Sequence, residues 1–244
     1  MNTPTIHALM VAAGKGARFG ADRPKQYLQI NDLPVLVHSA LAVNEPRISD
    51  LTFVLAADDV YADQAVRQIT DRCNKPIYRT LGGDERWQSV QAGLMSLKAR
   101  GVADNAWVLI HDAARPCLPM ADLSRLIDAI EQIDQGQDAA DALILASPVV
   151  DTLKRAHDGK ILETVSRDGL WQALTPQVFH LGGLITVLDH VATHKLVITD
   201  EASAYESLGK MVKIIPASKM NIKLTYPDDL PLLTMILAHQ AQHG

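Results

Sequence analysis

Only two of the 244 residues are cysteine, Cys73 and Cys117, and neither belongs to a Cys-x-x-Cys pair. That excludes a disulfide framework and a paired-cysteine zinc or redox motif, and leaves two reduced, partly buried thiols as the expectation. Long apolar runs are missing: no stretch approaches about 18 uninterrupted apolar residues. The opening Met1-Asn2-Thr3-Pro4-Thr5 does not lead from a basic segment into such a run. A soluble, cytoplasmic protein is expected, with no membrane partner. A surplus of positive charge is missing too, since 23 basic and 28 acidic side chains leave a net charge of −5. Such a chain has no global attraction for nucleic acid or an anionic membrane surface, so any anionic ligand needs a local positive pocket. The sequence also has no internal repeat, low-complexity tract or linker.

What is present is apolar material, 48% of the residues, against 21% charged. A chain of this length can bury roughly 70–75% of its unfolded surface around one core, so residues 1–244 are expected to form a single domain. Short apolar runs read as buried strands: Ile6 to Ala12, Leu51 to Ala56, Ile77 to Leu81, Trp107 to Ile110 and Ala142 to Ala146. Between them, apolar residues recur at three- and four-residue spacing in Pro34 to Val43, Asp59 to Cys73, Gln88 to Ala99 and Met120 to Ile133, which predicts helices. Alternation of this kind predicts an α/β fold, a mostly parallel sheet with helices on both faces, because parallel strands need crossover connections.

Two segments break the rhythm. Residues Val149 to Ser166 alternate around His157-Asp158-Gly159 and predict a β-hairpin. A lone hairpin is marginal in water, so this one is expected to lie on something, a second copy of the chain being a plausible support. Later, a strand at Lys213 to Pro216 follows a helix from about Asp200 to Leu208 and precedes a final helix from about Pro227 to Gln242.

Ligands of open α/β sheets bind beyond the carboxyl ends of the strands, which directs attention to three loops. The first, from Ala13 to Lys25, carries Gly14, Gly16 and Gly20 with Lys15, Arg18, Arg23 and Lys25 against Asp22 alone. Glycines after a strand let backbone N–H groups approach phosphate oxygens, and cations complete such a site. The spacing fits neither the dinucleotide fingerprint nor the P-loop, since Gly20 comes one place late for the former and is followed by Ala21-Asp22 rather than Lys-Ser/Thr. A solvated basic loop is the alternative. The second, Gly82 to Ser89, could read a base edge through backbone groups and a hydroxyl, or serve as a plain connection whose Asp84 and Glu85 offset a helix dipole. In the third, His111 to Pro116, Asp112 suits Mg²⁺, which takes one or two protein carboxylates and fills its octahedron with water and phosphate oxygens. Arg115 could clamp a phosphate, and a structural Asp–Arg pair is the alternative. His190 and His194 have metal-compatible spacing, but Val191 stands where a metalloprotease motif needs glutamate, so they read as surface histidines.

Together these segments resemble the 2-C-methyl-D-erythritol 4-phosphate cytidylyltransferases from about Ile6 to Asp229. The resemblance rests on Ala12-Ala13-Gly14-x-Gly16-x-Arg18, Pro24-Lys25-Gln26-Tyr27, Gly83-x-x-Arg86-x-x-Ser89-Val90 and His111-Asp112-Ala113-Ala114-Arg115-Pro116. Leu174-Thr175-Pro176-Gln177, Thr199-Asp200-Glu201-Ala202-Ser203 and Asn221-Ile222-Lys223 follow in the family's order. It implies a Rossmann-like, glycosyltransferase-A-like nucleotidyltransferase fold, a three-layer sandwich with a protruding hairpin arm, and a homodimer formed by exchange of the arm at residues 149–166. It also implies transfer of CMP from CTP to a phosphorylated polyol, ribitol 5-phosphate being the nearest alternative acceptor and a non-catalytic CTP-binding module the alternative of another class. By the same resemblance, Ala12, Ala13, Gly14, Gly16, Gly83, Asp84 and Ser89 surround the nucleotide. Arg18, Lys25 and Lys223 would meet the triphosphate as catalytic cations, and Asp112 would hold Mg²⁺ or another divalent cation. Arg115, Thr152, Arg167, Thr175 and Thr199 would bind the acceptor. Many relatives carry proline before the Ala-Ala-Gly where this chain has Val11, a difference expected to alter loop rigidity more than chemistry.

Overall fold

The computed structural model describes residues 4–14 and 23–243. In chain order the elements are β1 (Ile6–Val11), a single 3-10 turn (Lys25–Tyr27), β2 (Gln29–Ile30), β3 (Leu33–Pro34), α1 (Val35–Ala42), β4 (Ile48–Leu55) and α2 (Ala62–Thr70). They continue with β5 (Ile77–Leu81), α3 (Arg86–Ala99), β6 (Trp107–Asp112), α4 (Met120–Asp134) and β7 (Ala142–Pro148). The arm strands β8 (Leu153–His157) and β9 (Lys160–Val165) precede β10 (Trp171–His180), α5 (Leu181–His194), α6 (Glu201–Glu206), β11 (Val212–Pro216) and α7 (Asp229–His243).

Seven strands form one sheet in the order β11-β7-β10-β6-β1-β4-β5. Side chains two apart along a strand share a face, and the core divides accordingly. Ile6, Ala8 and Met10 of β1 and Leu109 of β6 join the layer that includes Leu36, Ile69 and Leu126. Leu9, Val108 and Ile110 point the other way, into the layer with Val90, Leu94, Leu184 and Tyr205. The result is the expected sandwich of helix layers around a mostly parallel sheet.

Sequence patterning did not announce β10, which runs antiparallel between β6 and β7. Pro176 has no N–H for a ladder and argues against an interior strand. The register shifts between Ala173 and Gln177, so the proline lies in a break of the pairing with β7.

The predicted arm is present. Asp158 (φ 47°) and Gly159 (φ 74°) are both left-handed, the backbone of a two-residue hairpin turn whose twist matches its strands,. Glu163 stands opposite Arg155 and Ile161 opposite Ala156, which leaves Leu162 as the extra residue of a bulge,. All residues of both arm strands except Leu153 and Val165 are exposed, Ile161 and Leu162 by 64% and 63%.

Parallel register then sets the site. Val11 lies opposite both Val54 and Asp112, and Leu55 opposite Leu81, so four strands end side by side at one edge of the sheet.

Candidate active site

Above that edge is a cavity of about 340 Å³. Its wall draws on all three strand-end loops, through Ala12, Ala13 and Gly14, through Gly83, Asp84 and Ser89, and through Asp112. Lys25, Arg86 and Lys223 bring positive charge to the same wall. Lys15, Gly16 and Arg18 lie outside the described residues.

Short polar contacts hold each wall in place. Gln26, buried beneath the first loop, donates its amide to Ala12 O at 2.9 Å and to Gly14 O at 3.2 Å. Ser89 Oγ accepts from the Gly83 N–H at 3.2 Å. A Cβ on Gly82 would stand 2.6 Å from both Ala13 Cβ and Ser89 Oγ, so the first two loops touch only because that residue lacks one. Lys25 Nζ donates to Leu224 O at 2.6 Å, spanning 199 residues of sequence to reach the segment that carries Lys223.

Asp112 is the electrostatic centre. Its Oδ2 accepts from Lys223 Nζ at 2.7 Å and lies 3.7 Å from Arg115 Nε, and its Oδ1 accepts from Arg86 Nη2 at 3.3 Å. Burial would raise the Asp112 pKa, but Arg86, Lys223 and Arg115 outweigh it and hold the carboxyl well below the usual range,. It is therefore a carboxylate at every pH at which the fold would be used. Arg86 is shared, for its Nη1 donates to Oε1 of Glu201, a fully buried residue at the start of α6. The motif containing Arg86 and the motif containing Glu201 were both visible in the sequence; their contact spans 115 residues and was not.

Thr175 and Arg115, expected to bind the acceptor, are buried and bonded beside Asp112. His111 Nε2 faces Arg115 O at 3.0 Å and must carry the proton, which leaves Nδ1 to accept from Thr175 Oγ1 at 3.0 Å,. Thr175 Oγ1 in turn accepts from the Asp112 N–H at 3.1 Å. Its hydroxyl proton is thus engaged inside the protein, and Thr175 holds the Asp112 strand end from beneath. Burial keeps His111 neutral by lowering its pKa to about 4. Arg115 is 8% exposed and donates Nη1 to Asn221 O at 2.7 Å, with its Nε beside Asp112. Thr152, Arg167 and Thr199 are exposed and are not part of the cavity wall; the Arg167 guanidinium donates to Val150 O at the base of the arm.

The donor set bears on the expected divalent cation. No group of three or more His, Cys, Asp or Glu side chains able to hold a metal occurs among the described residues. Asp112 offers hard carboxylate oxygens of the kind Mg²⁺ takes, which fits an ion completed by phosphate and water oxygens rather than a protein cage. Both of its oxygens already face cations, so such an ion needs incoming phosphates to draw Lys223 away. His190 and His194 stack on α5 with ring centroids 3.9 Å apart, on a separate helix. Cys73 and Cys117 are buried, and burial raises both thiols, Cys117 to about 12. No helix among the described residues is long and apolar enough to cross a membrane.

A sandwich whose sheet edge gathers two glycine-bearing loops and a ring of cations around one carboxylate is the architecture of a nucleotidyltransferase, and this chain is one. Comparison with known proteins narrows the class. The model of the family described as 2-C-methyl-D-erythritol 4-phosphate cytidylyltransferase matches residues 6–239, and the chain belongs to that family. It is 42% identical to the 2-C-methyl-D-erythritol 4-phosphate cytidylyltransferase of Acidithiobacillus ferrooxidans, over 98% of this chain and 99% of that one. With the protein of that name from Pseudomonas syringae pv. tomato the identity is 45%, over 94% of each chain. A crystal structure of 4-diphosphocytidyl-2C-methyl-D-erythritol synthase superposes with a TM-score of 0.79 at 36% identity, covering 96% of this chain and 99% of that one. The Francisella tularensis 2-C-methyl-D-erythritol 4-phosphate cytidylyltransferase gives 0.76 at 29%, covering 95% and 99%.

Proposed function

We propose that the chain transfers CMP from CTP to 2-C-methyl-D-erythritol 4-phosphate, giving 4-diphosphocytidyl-2-C-methyl-D-erythritol and pyrophosphate in the non-mevalonate route to isoprenoids. The observation that carries this reading is the meeting of Lys25, Lys223 and Asp112 with the Ala12–Gly14 and Gly83–Ser89 loops in one cavity. Ala12, Ala13, Gly14, Gly83, Asp84 and Ser89 would enclose the cytidine. Gly16 and Arg18 complete the nucleotide site on this reading, though they lie outside the described residues.

An oxygen of the acceptor's phosphate attacks the α-phosphorus in line, the bond to the bridging oxygen breaks, and pyrophosphate leaves with the electron pair. A phosphate monoester is already nucleophilic, so the protein's part is positioning and charge stabilisation rather than general-base work. Lys25 and Lys223 would hold the triphosphate as charge builds on its oxygens. Asp112 would hold Mg²⁺, which when bound neutralises phosphoryl charge. Arg115, Thr152, Arg167, Thr175 and Thr199 would meet the acceptor.

The exposed arm, with Ile161 and Leu162 on its surface, suits a homodimer by arm exchange, in which some acceptor-binding residues come from the partner. A cytoplasmic location goes with a freely diffusing nucleotide substrate. The test is a coupled pyrophosphate-release assay with CTP and either methylerythritol phosphate or ribitol 5-phosphate. Turnover with methylerythritol phosphate at least tenfold above ribitol phosphate is expected; the reverse preference, or CTP binding with no release from either, would overturn the reading. Sedimentation at several concentrations tests the dimer.

A further inference from the structure

Glu201 is a buried carboxylate in contact with Arg86 of this site for which the chemistry above has no use. It is fully buried at the first position of α6. Its Oε1 accepts from Arg86 Nη1, and its Oε2 has no hydrogen-bond partner among the described residues. A buried charge is costly unless paired, and an apolar side chain of similar size usually serves stability as well or better. Packing alone does not explain a glutamate here.

The placement of α6 is itself controlled. Gln177 of β10 donates to Asp200 Oδ2 at 2.7 Å and accepts from the Ala202 N–H at 3.2 Å, gripping the residues on either side of Glu201. Asp200 also caps the helix by accepting from the Ser203 N–H at 2.9 Å. Glu201 is thus presented to Arg86 by a strand in the middle of the sheet. Arg86 opens α3 and lines the cavity, with one guanidinium nitrogen on Glu201 and the other on Asp112 Oδ1. Without Glu201, both arms of the guanidinium would be available to Asp112 or to a phosphate, since a guanidinium meets carboxylates and phosphates two-pronged wherever geometry permits.

We propose that Glu201 is a positioning residue that acts through Arg86: it takes up one arm of the guanidinium so that the other meets only Oδ1 of Asp112, leaving Oδ2 to exchange Lys223 for the nucleotide-bound cation. Two carboxylates and the three cations Arg86, Arg115 and Lys223 then leave the cluster with one net positive charge. Removing the Glu201 charge commits Arg86 to Asp112 and blunts the carboxylate at the reacting phosphates. Binding of CTP, which rests on the two loops and the lysines, is not weakened.

This inference rests on the cytidylyl-transfer reading. If the wild-type protein binds CTP but releases no pyrophosphate with any acceptor, that reading fails; the present one is tested by variants of an active enzyme and by metal binding. Glu201→Gln should lower kcat at least tenfold with KM for CTP no more than threefold above wild type. Mn²⁺, followed by its electron paramagnetic resonance signal in the presence of CTP, should bind at least threefold more weakly. On an Arg86→Gln background, adding Glu201→Gln should cost less than a further twofold in kcat, because the residue has lost the group it acts through. Unchanged kcat in folded Glu201→Gln, or the same fold-loss on both backgrounds, would overturn the proposal. If Glu201→Gln fails to fold, Glu201→Asp withdraws the carboxylate by one methylene and should lose kcat at least threefold, again with KM held; wild-type kcat in that variant would be equally fatal.

Discussion

Asp112→Asn should separate nucleotide binding from turnover. Asp112 and Glu201 are set against Arg86, Arg115 and Lys223, so neutralising Asp112 raises the cluster's net charge from +1 to +2. Two unit charges about 6 Å apart interact by roughly 0.7–2.8 kcal/mol at effective dielectric constants of 80 to 20. Removing that repulsion from a bound triphosphate should therefore tighten CTP at least threefold when no divalent metal is present. Turnover should move the other way, by about 100-fold or more, the scale for losing one preorganised charge-stabilising group. Stability should fall too, because breaking a buried pair costs about 3–5 kcal/mol. For a chain of this size each kcal/mol shifts Tm by about 2–4 °C, so a decrease of some 6–20 °C is expected, near the low end because asparagine preserves the shape. Calorimetric titration of CTP in EDTA, pyrophosphate release with saturating Mg²⁺ and a thermal melt read the three quantities. Weaker CTP binding in the variant, or turnover within threefold of wild type, would refute the reasoning.

Three further outcomes follow from other parts of the molecule. Lys25→Ala should lower turnover about 100- to 1,000-fold, since Nζ is held at the cavity by Leu224 O; wild-type turnover would remove it from the mechanism. His111 is buried and its pKa is lowered to about 4, so between pH 6.5 and 4 the unfolded chain binds the extra proton and stability falls as pH falls. At about 1.4 kcal/mol per pH unit that contributes up to about 3 kcal/mol, and His111→Gln should flatten the dependence of unfolding free energy on pH in that window; an unchanged slope would count against a neutral buried imidazole. In Gly93→Ala the new Cβ would stand 2.3 Å from Leu9 Cδ1, a side chain with no exposed surface. Overpacking of about 1–3 kcal/mol should exceed the roughly 1 kcal/mol that alanine gains in a helix, so Tm should drop by a few degrees rather than rise.

Most of the sheet and all three site loops were legible because parallel buried strands read as short apolar runs and ligand loops follow their carboxyl ends. The arm was legible from Asp158-Gly159, a pair that tolerates the two left-handed residues of its turn,. By contrast β10 was not, since Pro176 mimics a strand breaker and only the register shift between Ala173 and Gln177 shows how it is accommodated. The contacts of Thr175, whose hydroxyl donates to His111 and accepts from the Asp112 N–H, are visible only once β10 is seen beside β6.

Local chemistry is thus written along the chain, through residue periodicity, turn residues and the glycines and cations that follow each strand. Charge pairing across the site is not. The contacts of Arg86 with Glu201, of Lys25 with Leu224 O and of Asp112 with Lys223 join residues 115, 199 and 111 positions apart. Their energies depend on distance in space and on burial, and both come into being only when the sheet brings its strand ends together.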